Sequence, residues 1–137
     1  MRKYIFVGRN GDLWSQMAAA IFNKLADPRS AYAVPVGINP APAVHPAAIT
    51  VLGEKGVRLA STPPLRLTPG IAQGADVLVA LGCGDDVALA PGMRRIDWPT
   101  LDSKSAPLER IRAWRDEVCS QVRRLVKEDG VEDRRAD

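Results

Sequence analysis

The sequence predicts a three-layer α/β fold in which helices flank a four-stranded parallel sheet. Residues 4–7 form a short apolar run, and residues 76–81 are continuously apolar after Asp76, as is typical of a strand buried on both faces. Apolar residues recur at helical spacing between these runs, and such alternation indicates parallel pairing through right-handed crossovers. The chain has 137 residues, 46% of them hydrophobic, which predicts a single domain with a sizeable core over residues 1–130.

The first strand and the first helix are joined by a glycine-containing loop. Residues 4–7 form the strand, and apolar residues recur with helical periodicity over residues 14–25. Pro28 ends this helix, because proline can neither donate to the helical hydrogen-bond ladder nor continue it. The domain is therefore expected to open with a strand, a loop and a helix.

The second strand and helix have weaker patterns. Residues 31–37 predict a strand, and Pro35 places it at a sheet edge, where the missing N–H costs little. Residues 46–55 predict a helix with a modest apolar face, which Gly56 closes as a cap. His45, the single histidine, is expected in the preceding loop.

The later elements are predicted in the same way. Thr68 followed by proline is typical of a helix N-cap, and this predicts a short helix over residues 69–73. Residues 76–81 are placed at the sheet centre, and residues 93–96 predict a fourth strand.

A long amphipathic helix ends the domain. It begins near Leu108 and closes at Gly130, and residues 131–137 are expected to form a frayed tail. The chain carries a net charge of +3, but in this region basic and acidic residues are interspersed. That mixture is typical of a solvated helix face and excludes a nucleic-acid-binding patch.

Composition also limits the cofactors and the location. No segment is long and apolar enough to span a bilayer, so we expect a cytoplasmic protein without membrane contact. Cys83 and Cys119 lack the spacing of zinc or redox motifs, so no metal and no other cofactor is expected. Both cysteines are interpreted as structural. Trp98 and Trp114 are suited either to core packing or to a homodimer interface.

Ligands of parallel α/β sheets bind beyond the carboxyl ends of the strands, which directs attention to residues 8–15, 82–86 and 97–103. Residues 6–17 resemble the anion-binding loop of the low-molecular-weight protein tyrosine phosphatase and arsenate reductase family. The resemblance extends to Gly82-Cys83-Gly84-Asp85, Pro91-Gly92, Asp97-Trp98, Asp102 and the last helix, and so covers nearly the whole chain. It implies a phosphotyrosine phosphatase I-like fold with strand order 2-1-3-4.

Two loop positions depart from the resemblance. The family has a nucleophilic Cys and a phosphate-binding Arg where this chain has Gly8 and Trp14. Gly8 cannot form a covalent intermediate, and the indole of Trp14 offers one neutral donor. The arsenate reductase branch also has a second Cys where this chain has Val87. Neither phosphatase nor thiol-redox activity is therefore expected.

Candidate site residues follow from the same resemblance. The ligand-binding candidates are Gly8, Arg9, Asn10, Gly11, Asp12, Leu13, Trp14 and Ser15. Asp102 matches the family's general acid and is the catalytic candidate, with a helix-capping role as the alternative. Ser15 is expected to hydrogen-bond the start of the helix. Arg9 either reaches the pocket or is solvated, and Trp14 either stacks on a ligand or fills a void.

Three functions remain open from the sequence. The first is a repurposed pocket that binds a small organic molecule over Trp14 and transforms it by acid–base catalysis at Asp102. The second is a catalytically silent pseudophosphatase that acts as an interaction or regulatory module. The third is residual binding of an anion by the loop and Arg9. The sequence does not decide whether the protein is an enzyme.

Overall fold

The computed structural model describes residues 1–59, 62–83, 92–99 and 106–133. The strands are β1 (Arg2–Gly8), β2 (Ala31–Gly37), β3 (Leu65–Arg66), β4 (Val77–Leu81) and β5 (Arg94–Trp98). The helices are α1 (Trp14–Leu25), α2 (Pro46–Gly53), α3 (Pro69–Ala72) and α4 (Leu108–Glu128).

The described strands form one parallel sheet in the order β3-β2-β1-β4-β5. β1 lies at its centre and pairs with β2 from Arg2 opposite Ala31 to Gly8 opposite Gly37. β4 lies on the other side of β1 and carries β5. The predicted α/β class is confirmed, and so is the relative order of the four predicted strands.

The sheet has one strand more than the sequence predicted. β3 pairs only with the end of β2, with Leu65 opposite Val36 and Arg66 opposite Gly37. The prediction that β2 is an edge strand is therefore wrong. Because β3 stops short of Pro35, however, the missing proline N–H interrupts no ladder on that side. A strand of two exposed residues leaves no apolar run by which the sequence could predict it.

Both faces of the sheet are buried at its centre, which explains the continuous apolar sequences of residues 4–7 in β1 and of β4. Tyr4 and Phe6 pack on one face against α1, α2 and α4. Ile5 and Val7 pack on the other face with the chain around α3. The three layers fix β1, and hence the loop that follows it, in the middle of the molecule. Of the described helices, none has both the length and the apolar character that crossing a membrane requires.

Polar side chains cap the two shorter helices. The Oγ1 atom of Thr68 accepts a hydrogen bond from the N–H of Ile71 at 3.1 Å, as the sequence predicts for α3. The single histidine caps α2, since Nδ1 of His45 accepts from the N–H of Ala47 at 3.0 Å. His45 therefore has a structural role.

The end of the described chain is packed rather than frayed. Val131 is buried, and its carbonyl accepts a hydrogen bond from the N–H of Asp27 at 2.8 Å. The N–H of Asp133 donates to the carbonyl of Leu25 at 2.9 Å. The prediction of a frayed tail is thus wrong for residues 131–133, while residues 134–137 lie outside the described chain.

The C-terminus of α4 is tied to the amino ends of the strands through Asp129. Its carboxylate accepts hydrogen bonds from the Tyr4 hydroxyl and, at 2.8 Å, from Arg94. Burial, together with the hydrogen bond to Asp129, raises the pKa of Tyr4 to about 12. Every charged or polar group of this cluster therefore has a partner.

Candidate functional site

The loop after β1 encloses a small cavity at the carboxyl edge of the sheet. The cavity has a volume of about 40 Å³ and is lined by Gly8 through Ser15, together with Leu81 and Gly82 from the end of β4. The structure thus brings together all eight loop residues that the sequence singled out. Leu81 and Gly82 join them because β4 lies directly beside β1.

The carbonyl groups of the loop are all held by hydrogen bonds. The carbonyls of Gly8, Arg9 and Asn10 accept from the N–H groups of Ile38, Asn39 and Ala41, respectively. The carbonyl of Gly11 accepts from the side-chain amide of Gln16, and those of Asp12 and Leu13 accept from the N–H groups of His45 and Met17. All six distances are 2.8–3.1 Å. In a trans peptide the carbonyl and the following N–H point in opposite directions. Fixing the carbonyls therefore also fixes the direction of the N–H groups.

Several of these N–H groups have no acceptor within the described chain. They belong to Asn10, Gly11, Leu13, Trp14 and Ser15. α1 begins here, and its N-cap residue, Leu13, has no side chain able to cap it. Unpaired backbone donors at a helix N-terminus form a favourable environment for negative charge.

The hydroxyl of Ser15 is buried in the same place. Its Oγ is the one buried side-chain oxygen or nitrogen that lacks a hydrogen-bond partner among the described residues. The predicted hydrogen bond from Ser15 to the helix start is therefore wrong. A Cβ atom built on Gly8 would lie 3.4 Å from this Oγ, so the hydroxyl adjoins the space that Gly8 leaves open. An unpaired buried hydroxyl costs about 1–3 kcal/mol, which a ligand or a water would relieve.

Two glycines hold the loop against the end of β2. Gly11 has a φ of +63°, and a Cβ atom there would lie 2.7 Å from the backbone nitrogen of Gly37. A Cβ atom on Gly37 would come equally close to the loop, 2.8 Å from the carbonyl carbon of Asn10. The close approach of the two backbones allows the hydrogen bonds to the loop carbonyls to form.

The charged side chains of the loop are Arg9, which is exposed, and Asp12, which is buried at 6% exposure. Both residues line the cavity. Their opposite charges reduce the net charge at its wall. Strong attraction for an anion must therefore come from the backbone donors rather than from a dominant side-chain cation.

Trp14 is held by a second tryptophan from α4. The rings of Trp14 and Trp114 lie 4.7 Å apart at an interplanar angle of 71°, an edge-to-face contact. Trp14 is half-buried and packs against the core cluster while its residue also lines the cavity. This contact gives Trp114 an intramolecular packing role. Trp98 also packs within the chain, against Phe6, with ring centroids 5.9 Å apart.

The thiol nearest the loop is not an alternative nucleophile. Cys83 is buried, and its Sγ donates to the carbonyl of Val7 at 3.4 Å. Burial raises the pKa of the Cys83 thiol, so the protonated form dominates near neutral pH. The described residues hold no group of three His, Cys, Asp or Glu side chains suited to a metal ion. The catalytic candidate Asp102 lies outside the described residues.

This chain resembles one known protein in sequence and several solved structures in fold. No family model matches the sequence. The chain is 27% identical over 97 residues to the "Putative arsenate reductase" of Halobacterium salinarum, a match that covers 71% of this chain and 68% of that protein.

Solved structures match over more of the chain. The thioredoxin-dependent arsenate reductase of Corynebacterium glutamicum superposes with a TM-score of 0.80 at 26% identity, over 93% of this chain. This chain spans only 61% of the length of that protein. An arsenate reductase solved in its phosphate-binding state superposes with a TM-score of 0.75 at 29% identity, over 93% of this chain and 98% of the other.

Proposed function

On the premise that this chain is homologous to the arsenate reductase and low-molecular-weight protein tyrosine phosphatase family, we propose that it binds a small tetrahedral oxyanion reversibly. Binding takes place in the loop cavity and without a covalent step. In this proposal the chain is a pseudophosphatase: the anion-binding frame is retained, while Gly8 and Trp14 replace the nucleophile and the phosphate-binding arginine.

The proposal rests on the buried hydroxyl of Ser15. It has no partner in the described chain, and it lies beside the loop whose N–H groups also lack acceptors. An oxyanion such as phosphate, arsenate or sulfate offers several acceptor oxygens to one hydroxyl and several unpaired N–H donors. A ligand of this kind would satisfy donors that the protein itself leaves unpaired.

The size of the cavity favours an oxyanion over a planar organic molecule. Its volume of about 40 Å³ accommodates a small ion, whereas sites for organic ligands typically enclose about 300–1,000 Å³. The indole of Trp14, which the sequence-based hypothesis assigned to stacking on such a ligand, is already packed against Trp114. The lining of the cavity therefore supports the smaller ligand.

Covalent chemistry has no support from the described residues. Glycine supplies no nucleophile at position 8, and the Cys83 thiol is buried with a raised pKa. Trp14 cannot supply the two charged hydrogen bonds that an arginine gives to an oxyanion. Each hydrogen bond to a charged group contributes about 1.5–3 kcal/mol, so the loss of the two arginine hydrogen bonds leads us to expect weak, reversible binding. Such binding without turnover suits a regulatory module. A role for Asp102 as a general acid remains a separate prediction.

Isothermal titration calorimetry with phosphate, arsenate and sulfate tests the proposal, with chloride at equal ionic strength as the reference. We expect one site per chain for the oxyanions, a loss of binding in Ser15→Ala, and unchanged binding in the control Ser30→Ala. We also expect no hydrolysis of p-nitrophenyl phosphate. The proposal fails if no oxyanion produces heat or raises the melting temperature.

A further inference from the structure

A second cavity, which we call the helix groove, lies between α1, α2 and α4. Its volume is about 390 Å³, and it is bounded by the C-terminal half of α1, the end of α2 with the following turn, and the middle of α4. It shares no lining residue with the loop cavity. A cavity of this volume is large enough for a small organic ligand.

The helix groove has an apolar floor. Ile21 from α1 and Leu52 from α2 are buried beneath it, and Leu25 and Val57 are half-buried at its sides. Half-buried aliphatic side chains leave apolar surface in contact with water, and covering that surface is favourable by about 25 cal/mol per Å². The floor therefore suits the hydrocarbon part of a ligand.

Part of the charge at the groove is balanced internally. The guanidinium of Arg115, which is 6% exposed, donates to Glu54 at 2.8 Å and to Asp116 at 3.0 Å. Glu54 also pairs with Arg112 at 2.7 Å. Two arginines and two carboxylates thus cancel, and this cluster leaves no net charge to attract a ligand.

Three further cations at the rim are not balanced in this way. Lys24, Lys55 and Arg123 line the helix groove and are exposed, and none of them pairs with a carboxylate among the described residues. The ammonium of Lys24 donates to the carbonyl of Lys55 at 3.2 Å, which holds it against the turn after α2. The rim therefore presents three positive charges above an apolar floor.

We infer that the helix groove binds a small amphiphilic anion. A single carboxylate, sulfonate or phosphate group contacts the rim formed by Lys24, Lys55 and Arg123. An apolar body of aromatic or branched aliphatic character covers the floor formed by Ile21, Leu25, Leu52 and Val57. The charge of the ligand complements the rim, and its apolar part removes the exposed floor from water. This site is independent of the proposed oxyanion site.

Fluorescence titration of the full chain with anilinonaphthalene sulfonate tests the inference. N-phenylnaphthylamine, which has a similar apolar body without the sulfonate, is the matched neutral probe. We expect one saturable site for the sulfonate and much weaker binding of the neutral probe. The double variant Lys55→Gln with Arg123→Gln should weaken sulfonate binding about tenfold, since each exposed charge contributes modestly. Lys127→Gln, on α4 but outside the groove, should not change it.

Cys119 reports where the probe binds. Its side chain lines the helix groove and is half-buried, whereas Cys83 is buried elsewhere in the core. Saturating sulfonate should slow alkylation of Cys119 by iodoacetamide severalfold, as measured by peptide mass spectrometry, while Cys83 serves as the internal reference. The inference is overturned by absence of saturable binding, by equal binding in the double variant, or by unchanged alkylation of Cys119. Circular dichroism confirms that each variant is folded.

Discussion

Two polar groups at opposite ends of β1 differ sharply in their hydrogen-bond partners. At the amino edge of the sheet, the Asp129 carboxylate accepts from Tyr4 and Arg94. At the carboxyl edge, the Ser15 hydroxyl has no partner among the described residues. The first arrangement stabilises the fold. The second leaves a donor unpaired where ligands of parallel α/β sheets bind, which supports the proposal of a binding site at that edge.

The greatest change in stability is expected at the amino edge of the sheet. Asp129→Ala removes the acceptor for two donors and should lower the free energy of unfolding by about 2–3 kcal/mol. Urea denaturation measures this loss. Glu128→Ala, which removes an exposed carboxylate one residue away, should change stability by less than about 0.5 kcal/mol. Equal effects of the two variants would show that the Asp129 cluster contributes no special stability.

A change in stability of opposite sign is expected at the carboxyl edge of the sheet. Ser15→Ala should raise the free energy of unfolding of the unliganded protein by about 1 kcal/mol, because it removes a buried hydroxyl that has no partner. The same variant should lose oxyanion affinity. Denaturation without and with phosphate measures both effects on one sample. A destabilised variant would show that the hydroxyl has a partner in solution, and the contrast between the two edges would then disappear.

The charge of Asp12 affects how strongly the loop binds an anion. Its buried carboxylate lines the cavity and opposes the binding of an anion. Asp12→Asn should therefore bind phosphate severalfold more tightly than the wild type, as measured by calorimetry. Weaker binding in a folded Asp12→Asn protein would instead assign the carboxylate a role in holding the loop.

Alkaline titration tests the hydrogen bond between Tyr4 and Asp129 in another way. The pKa of Tyr4 is raised from 10.0 to about 12, so folding favours the protonated phenol. This contribution to stability is complete below pH 10 and is lost as the pH rises toward 12, because the unfolded chain releases the proton first. Tyr4→Phe should show a flatter decline in this range. An unchanged slope in the variant would contradict the assignment.

The smallest effect concerns Glu54, which is partly exposed between α2 and α4. Hydrogen bonds from Arg112, and then from Arg115, lower the pKa of Glu54 from 4.5 to about 2. Its stabilising contribution is present above pH 4.5 and is lost as the pH falls toward 2. Glu54→Gln should reduce the dependence of stability on pH within that window. If the two proteins lose stability in parallel, the ion pairs with Glu54 are negligible in solution.

The layers of the fold could be predicted because the apolar pattern determines them. Residues 4–7 of β1 and all of β4 are buried apolar runs, and α4 has a regular apolar face. β3 was not predictable, because its two residues are exposed and only backbone pairing with β2 defines it. The packing of Val131 was missed for a similar reason, since it depends on a hydrogen bond from the distant Asp27.

The position of the site could be predicted from the sequence, but its unpaired hydrogen-bond donors could not. The loop residues follow β1 in sequence, so their convergence on one cavity follows from the parallel sheet. The missing partner of Ser15 depends on the space left by Gly8 and on the direction of the neighbouring peptides, which no local pattern encodes. The contact of Trp14 with Trp114 joins residues that are far apart in sequence. The helix groove likewise depends on three helices meeting.

The backbone N–H groups of the loop are proposed to bind an oxyanion. A phosphate titration followed by ¹H–¹⁵N correlation NMR observes these groups directly. We expect the amide resonances of Asn10, Gly11, Leu13, Trp14 and Ser15 to shift together with a single dissociation constant, while the resonances of amides at the amino edge of the sheet do not shift. Unshifted loop amides at saturating phosphate, or shifts confined to the helix groove, would contradict the proposal.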